Sequence, residues 1–109
     1  MTARFALAAV LFVLLTGGPA WADDAGIVIT IKDNQFVPST VEIPAGTKVK
    51  IIVRNEDKTT SEFESVDFHR EKVVQPGGEI TVFVGPLDRG SYEFFDDFHP
   101  STRGHLIAK

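Results

Sequence analysis

Apolar and polar positions alternate along most of the chain beyond Gly26. Ile27, Ile29 and Ile31 fall on one side of an extended segment and Val28, Thr30 and Lys32 on the other, the period of a half-buried strand. A turn is expected at Asp33-Asn34, then a short run at Val41 and Ile43 closed by Pro44-Ala45-Gly46. Val49, Ile51 and Val53 alternate with Lys48, Lys50 and Arg54, which predicts a second strand with one wet face. Asn55-Glu56-Asp57-Lys58 reads as a polar turn, and Ser61 to Ser65 as a further extended segment. Val73-Val74 leads into a turn at Pro76-Gly77-Gly78, and Ile80, Val82 and Val84 form a strand ending at Gly85-Pro86. Tyr92 and Phe94 alternate with Glu93 and Phe95 before a polar loop from Asp96 to Gly104, and Leu106-Ile107 make a last strand. No helical period of useful length occurs, although Asp67 to Lys72 has room for one helical turn. Short strands punctuated by Gly and Pro, about seven in all, predict an all-β sandwich or barrel. Tyr92, just past the corner containing Gly90, is read as a structural tyrosine bonding back across that corner.

The start of the chain follows a different rule. Arg4 precedes an unbroken apolar run from Phe5 to Leu15, followed by Gly17-Gly18-Pro19 and Ala20-Trp21-Ala22. A basic start, a short apolar run and small residues at Ala20 and Ala22 describe an export signal. The run is shorter than the roughly 20 residues a membrane helix needs, so residues 1–22 are read as a cleaved signal peptide and a retained anchor as the alternative. Residues 23–109 then form one domain, and export places it in the periplasm with no stable membrane insertion after cleavage.

Charge and composition narrow the function. Arg4 is the one charged residue before Asp23, so the exported part carries 10 basic against 15 acidic residues, a net of −5 with neutral histidines. That balance disfavours nucleic acid and anionic membranes and suits cations or a basic partner. The sequence has no Cys, its one Met is Met1 and its one Trp is Trp21. The exported part therefore has no sulfur, which rules out both disulfides and a soft metal site. No nucleophile and base pair stands out, so a self-contained hydrolytic or transferase site is not expected.

The candidate chemistry is a set of hard donors. Glu62 and Glu64 are two apart on an expected strand, so both share one face while Phe63 takes the other. Asp96, Asp97 and His99 crowd the polar loop. Carboxylates with an imidazole suit iron, manganese or copper(II) better than cuprous ion. Blander readings stay open: Glu62 and Glu64 as a solvated face, Asp96 and Asp97 as turn formers, and His99 as a loop histidine ahead of Pro100. His69 and His105 have nothing in the pattern to draw them to the same place. Phe63, Phe68, Phe94, Phe95 and Phe98 are read mainly as core, with some free to collar a metal centre.

The segment Gly90-Ser91-Tyr92-Glu93-Phe94-Phe95-Asp96-Asp97-Phe98-His99-Pro100-Ser101-Thr102-Arg103-Gly104 resembles the C-terminal copper loop of cupredoxins. There a Gly-x-Tyr-x-Phe strand delivers Cys, then His, then Met. Asn34-Gln35-Phe36-Val37-Pro38, Ile43-Pro44-Ala45-Gly46-Thr47 and Val74-Gln75-Pro76-Gly77 extend the likeness over nearly the whole exported part. The resemblance implies a Greek-key β-sandwich in which Asp96 holds the Cys position, His99 the His position, Thr102 the Met position and Glu62 the upstream His position. A type 1 blue copper centre needs the missing thiolate and thioether, so it is not expected.

The resemblance further implies that the loop lies near the Glu62–Glu64 strand, which would make Glu62, Glu64, Asp96, Asp97 and His99 a metal site. With Glu-Phe-Glu-Ser, Glu71-Lys72-Val73-Val74 and Phe94-Phe95-Asp96-Asp97-Phe98-His99-Pro100, the sequence is similar to the EfeO-type cupredoxins of bacterial ferrous-iron uptake systems. The function this implies is binding of iron or copper(II), with oxidation or delivery of iron to an inner-membrane iron permease and other periplasmic uptake components. The competing expectation is a non-metal periplasmic interaction module that keeps the scaffold.

Overall fold

The structure, a computed structural model, describes residues 26–109. The expected signal peptide at residues 1–22, and the start of the domain at Asp23, lie outside the described residues. Nine strands are present among these, in the order β1 (Ile27–Lys32), β2 (Gln35–Val37), β3 (Thr40–Ile43), β4 (Val49–Asn55), β5 (Ser61–Ser65), β6 (Arg70–Val74), β7 (Glu79–Val84), β8 (Gly90–Asp96) and β9 (His99–Ala108). They form a four-stranded sheet, β2-β1-β4-β7, and a five-stranded sheet, β3-β9-β8-β5-β6. Strands β1 and β4 run parallel, as do β3 and β9, so the chain crosses repeatedly between the sheets.

The alternation read from the sequence is what packs the two layers. Ile29 and Ile31 of β1, Ile51 and Val53 of β4, and Val82 and Val84 of β7 face Phe63, Val74, Phe94 and Leu106 of the other sheet, all buried. Phe36, Phe63, Phe68 and Phe94 form an aromatic cluster within this core, with Phe36 and Phe94 4.8 Å and Phe63 and Phe94 5.2 Å apart between ring centroids. The tyrosine corner is as expected, with the Tyr92 hydroxyl donating to the Asp88 carbonyl at 2.8 Å.

The count of about seven strands needs correction to nine, for two local reasons. Asp33 and Asn34 both take positive φ, 53° and 57°, so the expected turn is a tight hairpin of the primed type that pairs β1 with a new strand, β2. The Asp57 carboxylate fastens that turn by accepting the Asp33 N–H at 2.7 Å and the Asn34 N–H at 3.0 Å. The second addition is β6, which occupies much of the segment held open for a helical turn. Its edge position explains its polar sequence, since Arg70, Glu71 and Lys72 are exposed and Val74 is buried. Arg70 Nε donates to the Phe83 carbonyl at 2.9 Å and Lys72 Nζ to the Thr81 carbonyl at 3.3 Å. Two cations of β6 thus satisfy carbonyls of β7, the neighbouring edge strand, and discourage further pairing there.

The expected polar loop from Asp96 to Gly104 also differs. Strand β9 begins at His99, so the connection shrinks to a two-residue turn at Asp97-Phe98, with Asp96 opposite His99. The register slips after Phe95, which pairs with Arg103, leaving Pro100, Ser101 and Thr102 as an excursion of the strand. The buried Thr102 hydroxyl anchors that excursion by donating to the Asn34 carbonyl at 2.7 Å.

Candidate metal centre

Strand β5 presents two faces with different chemistry. Ser61, Phe63 and Ser65 are buried, whereas Glu62 and Glu64 project from the outer face of the five-stranded sheet. The turn between β8 and β9 is held against β5 by an Asp97 N–H to Glu62 carbonyl bond of 2.9 Å. As a result, one carboxylate oxygen from each of Glu62, Glu64 and Asp97 lies within 4.8 Å of the others. Strand β6 adds a fourth carboxylate, because the antiparallel register sets Glu71 directly opposite Glu64.

The sequence reading missed Glu71 as part of this group. Once Arg70–Val74 is recognised as a strand, the hairpin register brings Glu71 in without further assumption.

Among the described residues, no Lys or Arg forms an ion pair with any of the four carboxylates. Arg70 and Lys72 flank Glu71 but turn to the β7 carbonyls. Arg103 lies over the Phe95 ring, 4.9 Å from its centroid, and pairs with Glu93 at 2.8 Å. Glu64 Oε1 is buried and has no hydrogen-bond donor.

Partial desolvation, then the charges of Glu71, Asp97 and Glu64, raise the Glu62 carboxyl above its ordinary value near 4.5. Desolvation, then Asp97 and Glu71, do the same to Glu64. A cation would relieve both causes together. The donor set is all oxygen, which suits a hard cation.

Asp96 and His99 form a second group with a different character. The Asp96 side chain is 2% exposed and points inward from β8. Its Oδ1 accepts the Glu62 N–H and the Phe98 N–H, each at 3.0 Å, and its Oδ2 is 2.8 Å from His99 Nδ1. Burial alone would raise the Asp96 pKa. The Glu62 N–H, the nearby Ser61 hydroxyl, His99 and the Phe98 N–H outweigh it and hold the group below its ordinary 3.8. The Ser61 hydroxyl, buried beside Asp96, makes no hydrogen bond of good geometry.

The five sequence candidates are therefore brought together as two sets: Glu62, Glu64 and Asp97 on the outer face, and Asp96 with His99 at the base of the turn. Glu62 meets Asp96 through its backbone N–H. The β5 side chain directed at Asp96 is that of Ser61, a residue the sequence reading passed over. His69, with φ at 57°, lines an open groove with Glu64, Ser65, Val66, Arg70 and Glu71. His105 lies 3.9 Å from Glu93 on the outer face, apart from both sets.

A blue copper ion does not fit at the loop. The chain has no cysteine, the Asp96 oxygens are engaged by protein donors, and the Thr102 hydroxyl is committed to Asn34.

An uncharacterized protein of Rickettsia prowazekii (strain Madrid E) is 45% identical over 105 residues, covering 94% of this chain and 84% of that one. Amicyanin from Paracoccus versutus (Thiobacillus versutus) superposes with a TM-score of 0.63 at 19% identity, over 77% of this chain and 81% of that one. A reduced Cu(I) form of an amicyanin mutant gives 0.66 at 14% identity, over 79% and 84%. At those identities the structural likeness speaks to the fold. The family model described as a cupredoxin-like domain matches residues 4–108, and the chain belongs to that family.

Proposed function

We propose that this protein is an exported metal-binding cupredoxin whose binding surface is the carboxylate face of Glu62, Glu64 and Asp97, bordered by Glu71. Its cargo in this reading is iron, with copper(II) as the other ion the donor set accepts. Its role is to bind iron in the periplasm and to assist its oxidation or its delivery to an inner-membrane iron permease. The observation that carries the reading is the buried Glu64 oxygen without a donor, set among three other carboxylates and unpaired with any Lys or Arg among the described residues. Like charges gathered this closely raise one another's proton affinity, and a bound cation turns that repulsion into coordination.

Calorimetric titration of the purified exported domain with ferrous, ferric and cupric ions tests the proposal. Glu62→Gln, Glu64→Gln and Asp97→Asn should each weaken binding by at least about 10-fold, since changes beyond the direct ligands already cost about 10- to 100-fold. The same variants should fail to restore growth on scarce ferrous iron to a strain lacking the gene. Parental affinity in all three would overturn it.

The second reading, a non-metal interaction module, draws on the self-satisfied loop and on Phe98, which is half exposed at the turn. In that case the acidic face docks a basic partner, and the variants lose partner binding with no change in metal titration.

A further inference from the structure

The Asp96–His99 pair is built like the outer half of a metal site. Asp96 is nearly inaccessible, and both its oxygens already accept bonds from the chain, two of them backbone N–H bonds that close the turn and tie it to β5. An ionised carboxylate can only accept, so the 2.8 Å contact requires the proton to sit on His99 Nδ1. The neutral ring then has its lone pair on Nε2. That nitrogen lies on the side of the ring away from Asp96 and has no bonding partner among the described residues. The ring is 30% exposed.

A carboxylate holding one imidazole nitrogen so that the other can bind a cation is a recurring arrangement around metal-ligating histidines. We infer that Asp96 is a positioning residue which holds His99 as the Nδ1–H tautomer, and that Nε2 is the donor atom this loop offers to a borderline divalent cation. Asp96 itself is then no ligand, although it stands where the sequence pattern places one. The tautomer assignment stands independently of the carboxylate face, and only the use of Nε2 rests on the metal-binding reading.

Nitrogen-15 NMR of the whole exported protein, with zinc ion as a diamagnetic probe, tests this at a pH where the imidazole is neutral. The parent should show His99 with Nδ1 protonated and Nε2 bare, and zinc should move the Nε2 resonance. Asp96→Asn keeps an oxygen for the Glu62 and Phe98 N–H groups but turns an amide donor toward Nδ1. It should reverse the tautomer and weaken the zinc response of His99 by about 10-fold.

A parent protonated at Nε2, an Nε2 resonance that zinc leaves in place, or an Asp96→Asn protein with the parental tautomer would each overturn the inference. If Asp96→Asn does not fold, the parental tautomer and zinc response decide the matter. Glu64→Gln reads the carboxylate face separately, through its own cation affinity. A changed His99 tautomer in that variant counts against Asp96 as the positioning group.

Discussion

Asp96 and Glu64 show how a carboxylate takes opposite roles on two sides of a sheet. Asp96 is buried among donors, so its charge stabilises the fold. Asp96→Ala should destabilise the domain by roughly 1–3 kcal/mol for each buried N–H left without a partner, measured by urea unfolding. Its folded pKa is depressed, so that stabilisation is complete above the unfolded value and lost as pH falls through the folded one. The stability gap between the parent and Asp96→Asn should accordingly close below about pH 3.8.

Glu64 sits among acceptors, and its folded pKa is raised, which means that its ionised form opposes folding. In chelated samples Glu64→Gln should be more stable than the parent at neutral pH. That advantage should shrink as pH falls through the raised value, above 4.5, where the parent takes up its proton. Added iron should reverse the order at neutral pH, because only the parent keeps the full donor set. Thermal unfolding across pH, with and without metal, checks both signs.

The hairpin of β8 and β9 is the element that joins core and site. Its close packing depends on Gly104, where an added Cβ would meet the Phe94 ring at 2.5 Å and the Ser39 carbonyl at 2.6 Å. Neither neighbour can retreat easily, since Phe94 is fully buried and the Ser39 carbonyl accepts the His105 N–H. Gly104→Ala should therefore cost about 1–3 kcal/mol or more by overpacking, seen as a lower urea midpoint. It should also disturb metal binding, because β8 carries the turn that sets Asp97 beside Glu62. At the far edge of the same sheet, the paired change Arg70→Ala and Lys72→Ala should leave the core packed but uncover the β7 carbonyls. Light scattering on storage should then rise relative to the parent.

For the molecule as a whole, the core is made of Ile, Val, Leu, Phe and Ala drawn from both sheets, all of them side chains without a metal-ligating atom. Chelator-treated protein should keep its β-sheet circular dichroism and unfold cooperatively. Cupric ion added to it should give weak d–d absorption and no intense charge-transfer band, because no thiolate is present to supply one. A strong blue colour would contradict the donor set described for both groups.

Strand existence and facing were readable from the sequence wherever alternation ran over several residues. Ile29 and Ile31, and Glu62 and Glu64 against Phe63, lie on the sides that a two-residue period assigns them. The absence of sulfur settled equally early that no type 1 centre can form. The pattern could not show β2, which has one inward side chain, Phe36, or β6, whose polar residues look like a loop until β7 lies beside them. Nor could it separate Asp96 from Asp97. Adjacent residues of one type sit on opposite sides of a strand end, and only the packed hairpin decided which would be buried under backbone donors and which would join Glu62, Glu64 and Glu71. Alternation along a strand is local and survives in one dimension. The company a carboxylate keeps depends on register between strands distant in sequence, and that is fixed only when the sheets close.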